Sequence, residues 1–255
     1  MKRLFEKERA EEIHRNRNID RSAVYTEQDI ASLPEPVKRY FRTCGYIGKP
    51  VICHADVIWE NSEIRLSRTK DWTPLETRQF NAVVNPVRIA YMKAQTMPIQ
   101  VRDIYRNGGG HVYGKLFGLF PVVNDKGKET SQSALITLFT EVLLIPGYSL
   151  QAYIEWEAVD DYTAKARFTH MGMDVSGVFH FDETGKFVRF ETDDRYYSEK
   201  KGVYTKKRFS AVVDSYKEKQ DIVFPQAVRI MWHLEDGDYE YFKGEVDDIK
   251  YNASE

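Results

Sequence analysis

The feature that most constrains this chain is an alternation of apolar and polar residues with a period of two, sustained over most of its length. From Val51 to Phe120 the segments VICHADVIWE, EIRLSRT, ETRQFNAVV, RIAYMKA, IQVRDIYRN and HVYGKLFGLF alternate, separated by Pro, Asn, Asp or Gly. The pattern returns in QAYIEWEAV, YTAKARFTH, VSGVFHFD, KFVRFETDD, TKKRFSAVVDSY, AVRIMWHL and YEYFKGEVDDIKY. Successive side chains on a strand point to opposite faces, so each segment reads as a half-buried antiparallel strand. So many strands form a sheet too large to remain flat and open. Aromatic content of 13% supplies bulky side chains that pack well on such a surface.

Two segments carry the helical period instead. In TEQDIASLPEPVKRYFRTCGYIGKP, Pro36 fits a first turn, Val37, Tyr40, Phe41 and Cys44 share a stripe, and Gly45 fits the position after the C-cap. In TSQSALITLFTEVLLIPG, Thr130 or Ser131 caps the helix. Leu135, Leu138, Phe139, Val142 and Leu143 form its apolar stripe, and Pro146-Gly147 stops it. Residues 1–22 are dense in mixed charge, with Leu4, Phe5, Ala10 and Ile13 apolar among them, and read as a charged arm or solvated helix. No repeat or linker divides residues 23–255. The expected fold is mainly β (α+β): a single domain whose large curled antiparallel sheet, a half-barrel, wraps two main helices.

Several functional classes are disfavoured. A formal net charge of −2 offers no basic field for nucleic acid. No apolar run approaches the ~20 residues that span a bilayer, and no signal-peptide core is visible, so a cytoplasmic protein without stable membrane insertion is expected. Cys44 and Cys53 are too few for a disulfide framework or a zinc site and read as two reduced, partly buried thiols. The stretch Gly109–Leu116, GGHVYGKL, matches G-x-x-x-x-G-K, but Leu116 stands where a P-loop needs Ser or Thr. LFGLFPVV follows where a helix should begin, so Asn107–Gly110 reads as a hairpin turn and HVYGKLFGLF as the returning strand. No histidine pair has metal-ligand spacing, His180 and Asp182 read as a surface contact near a turn, and no G-x-S-x-G elbow exists. Neither a metal, a cofactor nor a catalytic residue is expected.

The candidate ligand-binding residues come from four places. VRDIYRNG puts Arg102 and Ile104 on one strand face and Val101, Asp103 and Tyr105 on the other, near the helix bearing Leu138 and Glu141. A buried charge persists when paired, so an Arg102–Glu141 contact is the structural expectation, and a group orienting a ligand in an apolar cavity is the functional one. MWHLEDGDYEYF offers Trp232, His233 and Tyr241, and QAYIEWEAV offers Trp156. Arg102, Asp103, Tyr105, Leu138, Glu141, Trp156, Trp232, His233 and Tyr241 are therefore the candidate set.

The segments LPEPVKRYFRTCGYIGKP, KLFGLFPVVNDKG, WEAVDDYTAKA and WHLEDGDYEYFKGEVDDI, in this order from Leu33 to Ile249, resemble a bacterial family catalogued as a domain of unknown function. The many strands with a helix after GLFPVVNDKG are also similar to the lipoprotein-carrier (LolA-like) half-barrel. That resemblance implies a curled sheet around helices that holds acyl chains. Many relatives begin with a membrane-anchoring segment, from which the charged start here departs. The expected function is non-enzymatic binding or carriage of a hydrophobic or amphipathic, lipid-like small molecule between sheet and helices. Two alternatives stand beside it: an enzyme of unrecognised chemistry using Asp103, Glu141 and His233, and a structural or partner-binding protein with a filled core.

Overall fold

The computed structural model describes residues 1–17, 22–200 and 202–253, so residues 18–21 of the charged arm lie outside it. Among these residues, thirteen antiparallel strands make one curled sheet. A first meander holds β1 (His54–Ile64), β2 (Thr73–Ala82), β3 (Val87–Ala94), β4 (Ile99–Arg106), β5 (Gly109–Leu116) and β6 (Phe120–Lys126). The second runs through β7 (Ile154–Asp160), β8 (Thr163–His170), β9 (Met173–Phe181) and β10 (Phe187–Thr192). A ribbon of β11 (Tyr196–Lys200) and β12 (Val203–Lys206) leaves the sheet before β13 (Arg208–Val213). A second ribbon, β14 (Tyr216–Lys219) and β15 (Ile222–Pro225), precedes β16 (Ala227–Leu234) and β17 (Gly237–Tyr251). The strand order is β6-β5-β4-β3-β2-β1-β17-β16-β13-β10-β9-β8-β7, and the two halves join where β1 pairs with β17, Ala55 opposite Tyr251.

The glycine run is a turn. Asn107 and Gly108 both have positive φ, 52° and 74°, the signature of a two-residue hairpin loop whose twist matches its strands. Lys115 then lies in β5 opposite Gln100. Strand β6 follows, across a residue range the alternation alone reads as a connection into the helix. Pro121 is tolerated there because β6 is an edge and needs no partner on its outer side.

Helices α2 (Glu35–Thr43) and α3 (Lys128–Thr140) form in the two segments of helical period; α3 ends at Thr140, so Val142 and Leu143 of its expected stripe lie beyond it, and Pro146 opens the next element rather than stopping this one. Helix α3 contacts β4, β5 and β6 on one arm of the sheet and β9 on the other, and so crosses the concave face. Neither Thr130 nor Ser131 caps it. Gly127 is the N-cap; Ser131 Oγ accepts from the Gly110 N–H at 2.9 Å and donates to the Gly127 carbonyl at 2.6 Å, which ties the helix to β5. Contact here is close: a Cβ on Gly110 would lie 2.7 Å from both Ser131 Cα and the Thr130 carbonyl. Beyond Thr140 the chain turns and enters a short 3-10 helix at Pro146–Leu150.

The charged start is not a solvated helix. Residues Lys2–Arg15 form α1, which lies on the opposite face of the sheet and buries Phe5 and Ile13 against Phe80, Val87, Ile89, Tyr91 and Ile104. Its thin apolar face is supplemented by ion pairs. Arg9 meets Asp56 at 2.6 Å, and the Arg102 Nε donates to the buried Glu8 at 2.7 Å. Among the described residues no helix is long and apolar enough to cross a membrane. Cys44 and Cys53 are both buried.

Candidate functional site

Docking of α1 on the back of β2–β4 decides what those strands present to the front. Their most apolar residues (Phe80, Ile89, Tyr91, Ile104) face α1, so the intervening set turns toward α3. That set is Thr77 and Gln79 on β2, Arg88 and Met92 on β3, and Val101 and Asp103 on β4. Between this surface, the C-terminal half of α3 and strands β13, β16 and β17 lies a cavity of about 580 Å³. Its wall is mainly apolar, with Leu75, Met92, Val101, Val112, Leu144, Phe209, Val213 and Ile230 contributing. A register skip between β16 and β17 leaves Tyr241 without an opposite residue, and Tyr241 and Phe242 both face the cavity as a result.

The cavity opens between hairpin tips. In a meander, alternate turns fall at the same end of the sheet, which groups the β1–β2, β3–β4 and β5–β6 loops. Leu66, Met97 and Val122 line the cavity there yet are 70%, 40% and 50% exposed. Phe117, Leu119 and Phe120 beside Val122 are exposed as well. An apolar rim of this kind is contiguous with the apolar interior, and such patches mark interaction sites more often than isolated surface leucines do.

Two cations lie in the wall. Arg88 is the centre of a nearly buried cluster, with Nε donating to Glu141 Oε1 at 2.8 Å and Nη1 to Asp103 Oδ2 at 2.9 Å. Asn81 Nδ2 donates to the other Glu141 oxygen at 2.8 Å, and Gln79 Nε2 to Asn81 Oδ1 at 2.8 Å. Burial pulls the Arg88 guanidinium down, but Glu141 and Asp103 more than offset it and hold its pKa above the usual arginine value. Arg195, on the connection after β10, is differently placed. Its Nη1 donates to the Ser133 carbonyl at 2.9 Å and to Thr137 Oγ1 at 2.6 Å, and its guanidinium lies 4.4 Å from the Phe209 ring centre.

Of the nine residues singled out from the sequence, Asp103, Glu141 and Tyr241 line the cavity. Trp232 stacks behind two of its walls, 5.1 Å from Phe209 and 6.2 Å from Tyr241. Leu138 is wholly buried in the core beneath α3. Tyr105 shares the Asp103 face but hydrogen-bonds His170 Nδ1 at 2.6 Å outside the cavity wall. Trp156 donates to the Ser149 carbonyl and packs on Phe179. Arg102 and His233 are on the back of the sheet; His233 bonds Ser210 at 2.9 Å and Asp238 at 2.7 Å. The expected Arg102–Glu141 contact does not form, because Arg102 points to Glu8 of α1 and Glu141 takes Arg88 instead. Likewise His180 bonds Glu191, and Asp182 closes its own turn onto Thr184. The strand alternation gives no reason to single out Gln79 or Arg88, and nothing in the sequence marks Arg195 as part of a wall.

Among the described residues no cluster of three or more His, Cys, Asp and Glu is placed to hold a metal ion. The model of a family of unknown function, DUF6544, matches residues 23–244. No curated protein matches the sequence. In fold the chain is similar to a putative outer membrane lipoprotein-sorting protein domain from Vibrio parahaemolyticus, at 11% identity and TM-score 0.45, covering 78% of this chain and 85% of that one. It is also similar to a LolA superfamily protein from Nitrosomonas europaea, at 8% identity and TM-score 0.41, covering 86% and 94%. A DUF1329 family protein from Desulfovibrio piger aligns at 9% identity and TM-score 0.40, covering 90% and 94%.

Proposed function

The chain belongs to the DUF6544 family of unknown function, and we propose that it binds or carries a hydrophobic or amphipathic, lipid-like small molecule in the cavity between the sheet and α3. The observation that carries this reading is the cavity: about 580 Å³ with a mainly apolar wall and an apolar rim. Ligand pockets fall at roughly 300–1,000 Å³ and combine such walls with a few placed polar groups. Water filling the same space would find few partners beyond the Arg88 cluster, so its replacement by apolar ligand surface is favourable. A filled-core structural protein would have closed this volume with side chains. The enzyme reading needs Asp103, Glu141 and His233 to converge, and His233 is on the other face of the sheet.

The test is to fill the cavity. Ala211 lines it from the middle of β13 and is 3% exposed, so Ala211→Trp directs an indole into the space. The wild-type protein, stripped of bound lipid, is expected to bind the fluorescent fatty acid cis-parinaric acid at one site. The variant is expected to keep its melting temperature and bind at least tenfold more weakly. Equal binding by the folded variant, or none by the wild type, removes the cavity as the binding site.

A further inference from the structure

Resting on that reading, we propose that Arg195 is the headgroup subsite of the cavity and that the ligand is an amphiphile with an anionic head, a carboxylate or phosphate. The two cations of the wall differ in one respect. Arg88 is paired with two carboxylates, Glu141 and Asp103, and also donates to Gln79. Arg195 forms no ion pair with a carboxylate within 4.0 Å among the described residues. Its Nε is buried without a hydrogen-bond partner, its hydrogen bonds run to a carbonyl and a hydroxyl, and its ring contacts are with Phe209 and Trp232, so none of its partners is an anion.

A guanidinium beside an apolar cavity is costly when unpaired, and a buried donor without an acceptor adds to the cost. The first cost falls if an anion binds beside the guanidinium in the cavity. The side chain is held for this: stacking over Phe209 and the two bonds to α3 fix its plane, so little freedom remains to be lost on binding. With both Nη1 hydrogens engaged, Nη2 is the donor left for an oxygen of a carboxylate or phosphate. Phe209, which the guanidinium covers, is itself a wall residue, so an anion at Arg195 leaves its chain to run along the apolar wall formed by Ala211, Val213 and Ile230. The Arg88 cluster already carries two carboxylates against one guanidinium, so a second anion is not expected there.

Calorimetric titration of the lipid-stripped full chain with four twelve-carbon probes tests this: dodecanoate, dodecyl phosphate, dodecan-1-ol and dodecyltrimethylammonium, with acetate and inorganic phosphate as chainless controls. The two anionic amphiphiles should bind at least tenfold more tightly than the alcohol and the cation, and the chainless anions should not register. In Arg195→Gln the preference for anion over alcohol should collapse. Arg195→Lys should recover part of it by charge alone. Binding of all four chains with equal affinity by the wild type overturns the headgroup assignment while leaving the cavity reading intact. The same holds if Arg195→Gln keeps the full preference. Binding of none of them sinks both. Binding of acetate or phosphate as tightly as the chain-bearing anions makes Arg195 a small-anion site and removes the amphiphile. The wild-type series decides the matter even if a variant fails to fold.

Discussion

Replacing Arg88 by Met should cost the fold several kcal/mol. The Arg88 side chain is 12% exposed and joins Glu141 and Asp103, at 9% and 19%. Met matches the aliphatic stem but removes the charge, leaving two carboxylates in a largely dry wall. Glu141 retains the Asn81 amide at 2.8 Å, which softens its loss. Breaking a buried pair by deleting one partner costs about 3–5 kcal/mol, and the partial access through the cavity mouth argues for the lower end, about 3. At roughly 2–4 °C per kcal/mol for a chain of this size, the melting temperature should fall by roughly 6–12 °C. The exposed Arg167–Asp174 pair is the control, and Arg167→Ala should leave the melting temperature where it was. Differential scanning calorimetry reads both variants. The triple variant Arg88→Met, Glu141→Leu, Asp103→Leu should regain most of the loss, since apolar replacement of a whole buried ionic cluster is near neutral. A fall of less than about 2 °C for Arg88→Met would refute the view that this cluster is a desolvated support of the wall.

Three further outcomes follow from the same physics. Gly110→Ala places a methyl 2.7 Å from the backbone of α3 and should destabilise by about 1–3 kcal/mol through overpacking, read by urea unfolding. Burial holds the half-buried His170 imidazole below its usual pKa, so the folded state resists the proton that the unfolded chain takes up below ~6.5. Stability should therefore fall as pH drops from ~6.5 to the depressed value, and His170→Gln, which keeps an acceptor for Tyr105, should flatten that slope in melting curves. Burial also pushes the Cys44 thiol up to about 12, so a thiol reagent at pH 8 should label it no faster than the protein opens. Rapid labelling of native Cys44 would contradict its placement in the core.

The period of two made the sheet legible, and the positions of α2 and α3 followed from their stripes. What the alternation could not give was which face of each strand met which layer. In VRIAYMKA the apolar set Val87, Ile89 and Tyr91 invites the reading that Arg88 points to solvent. Both faces are covered, because α1 takes the apolar side, and Arg88 turns into the cavity. The same inversion placed Arg102 against Glu8. Helix α1 itself was hidden because half of its docking surface is ionic, and Glu8 and Glu12 look like solvated charge until Arg102 and Arg106 are brought over them. Asp103 and Glu141 line the cavity although the expected Arg102–Glu141 contact takes the wrong face of β4, the one that α1 covers. Arg195 was missed because a residue between two strands has no periodicity to betray its direction.

Native mass spectrometry of the protein as purified, followed by extraction and identification of whatever leaves it, reads the occupancy of the cavity itself. A non-covalent adduct of one amphiphile per chain is expected, anionic on extraction, absent from Ala211→Trp and depleted in Arg195→Gln. A wild-type spectrum of bare chain that stays bare after incubation with dodecanoate and dodecyl phosphate would contradict it.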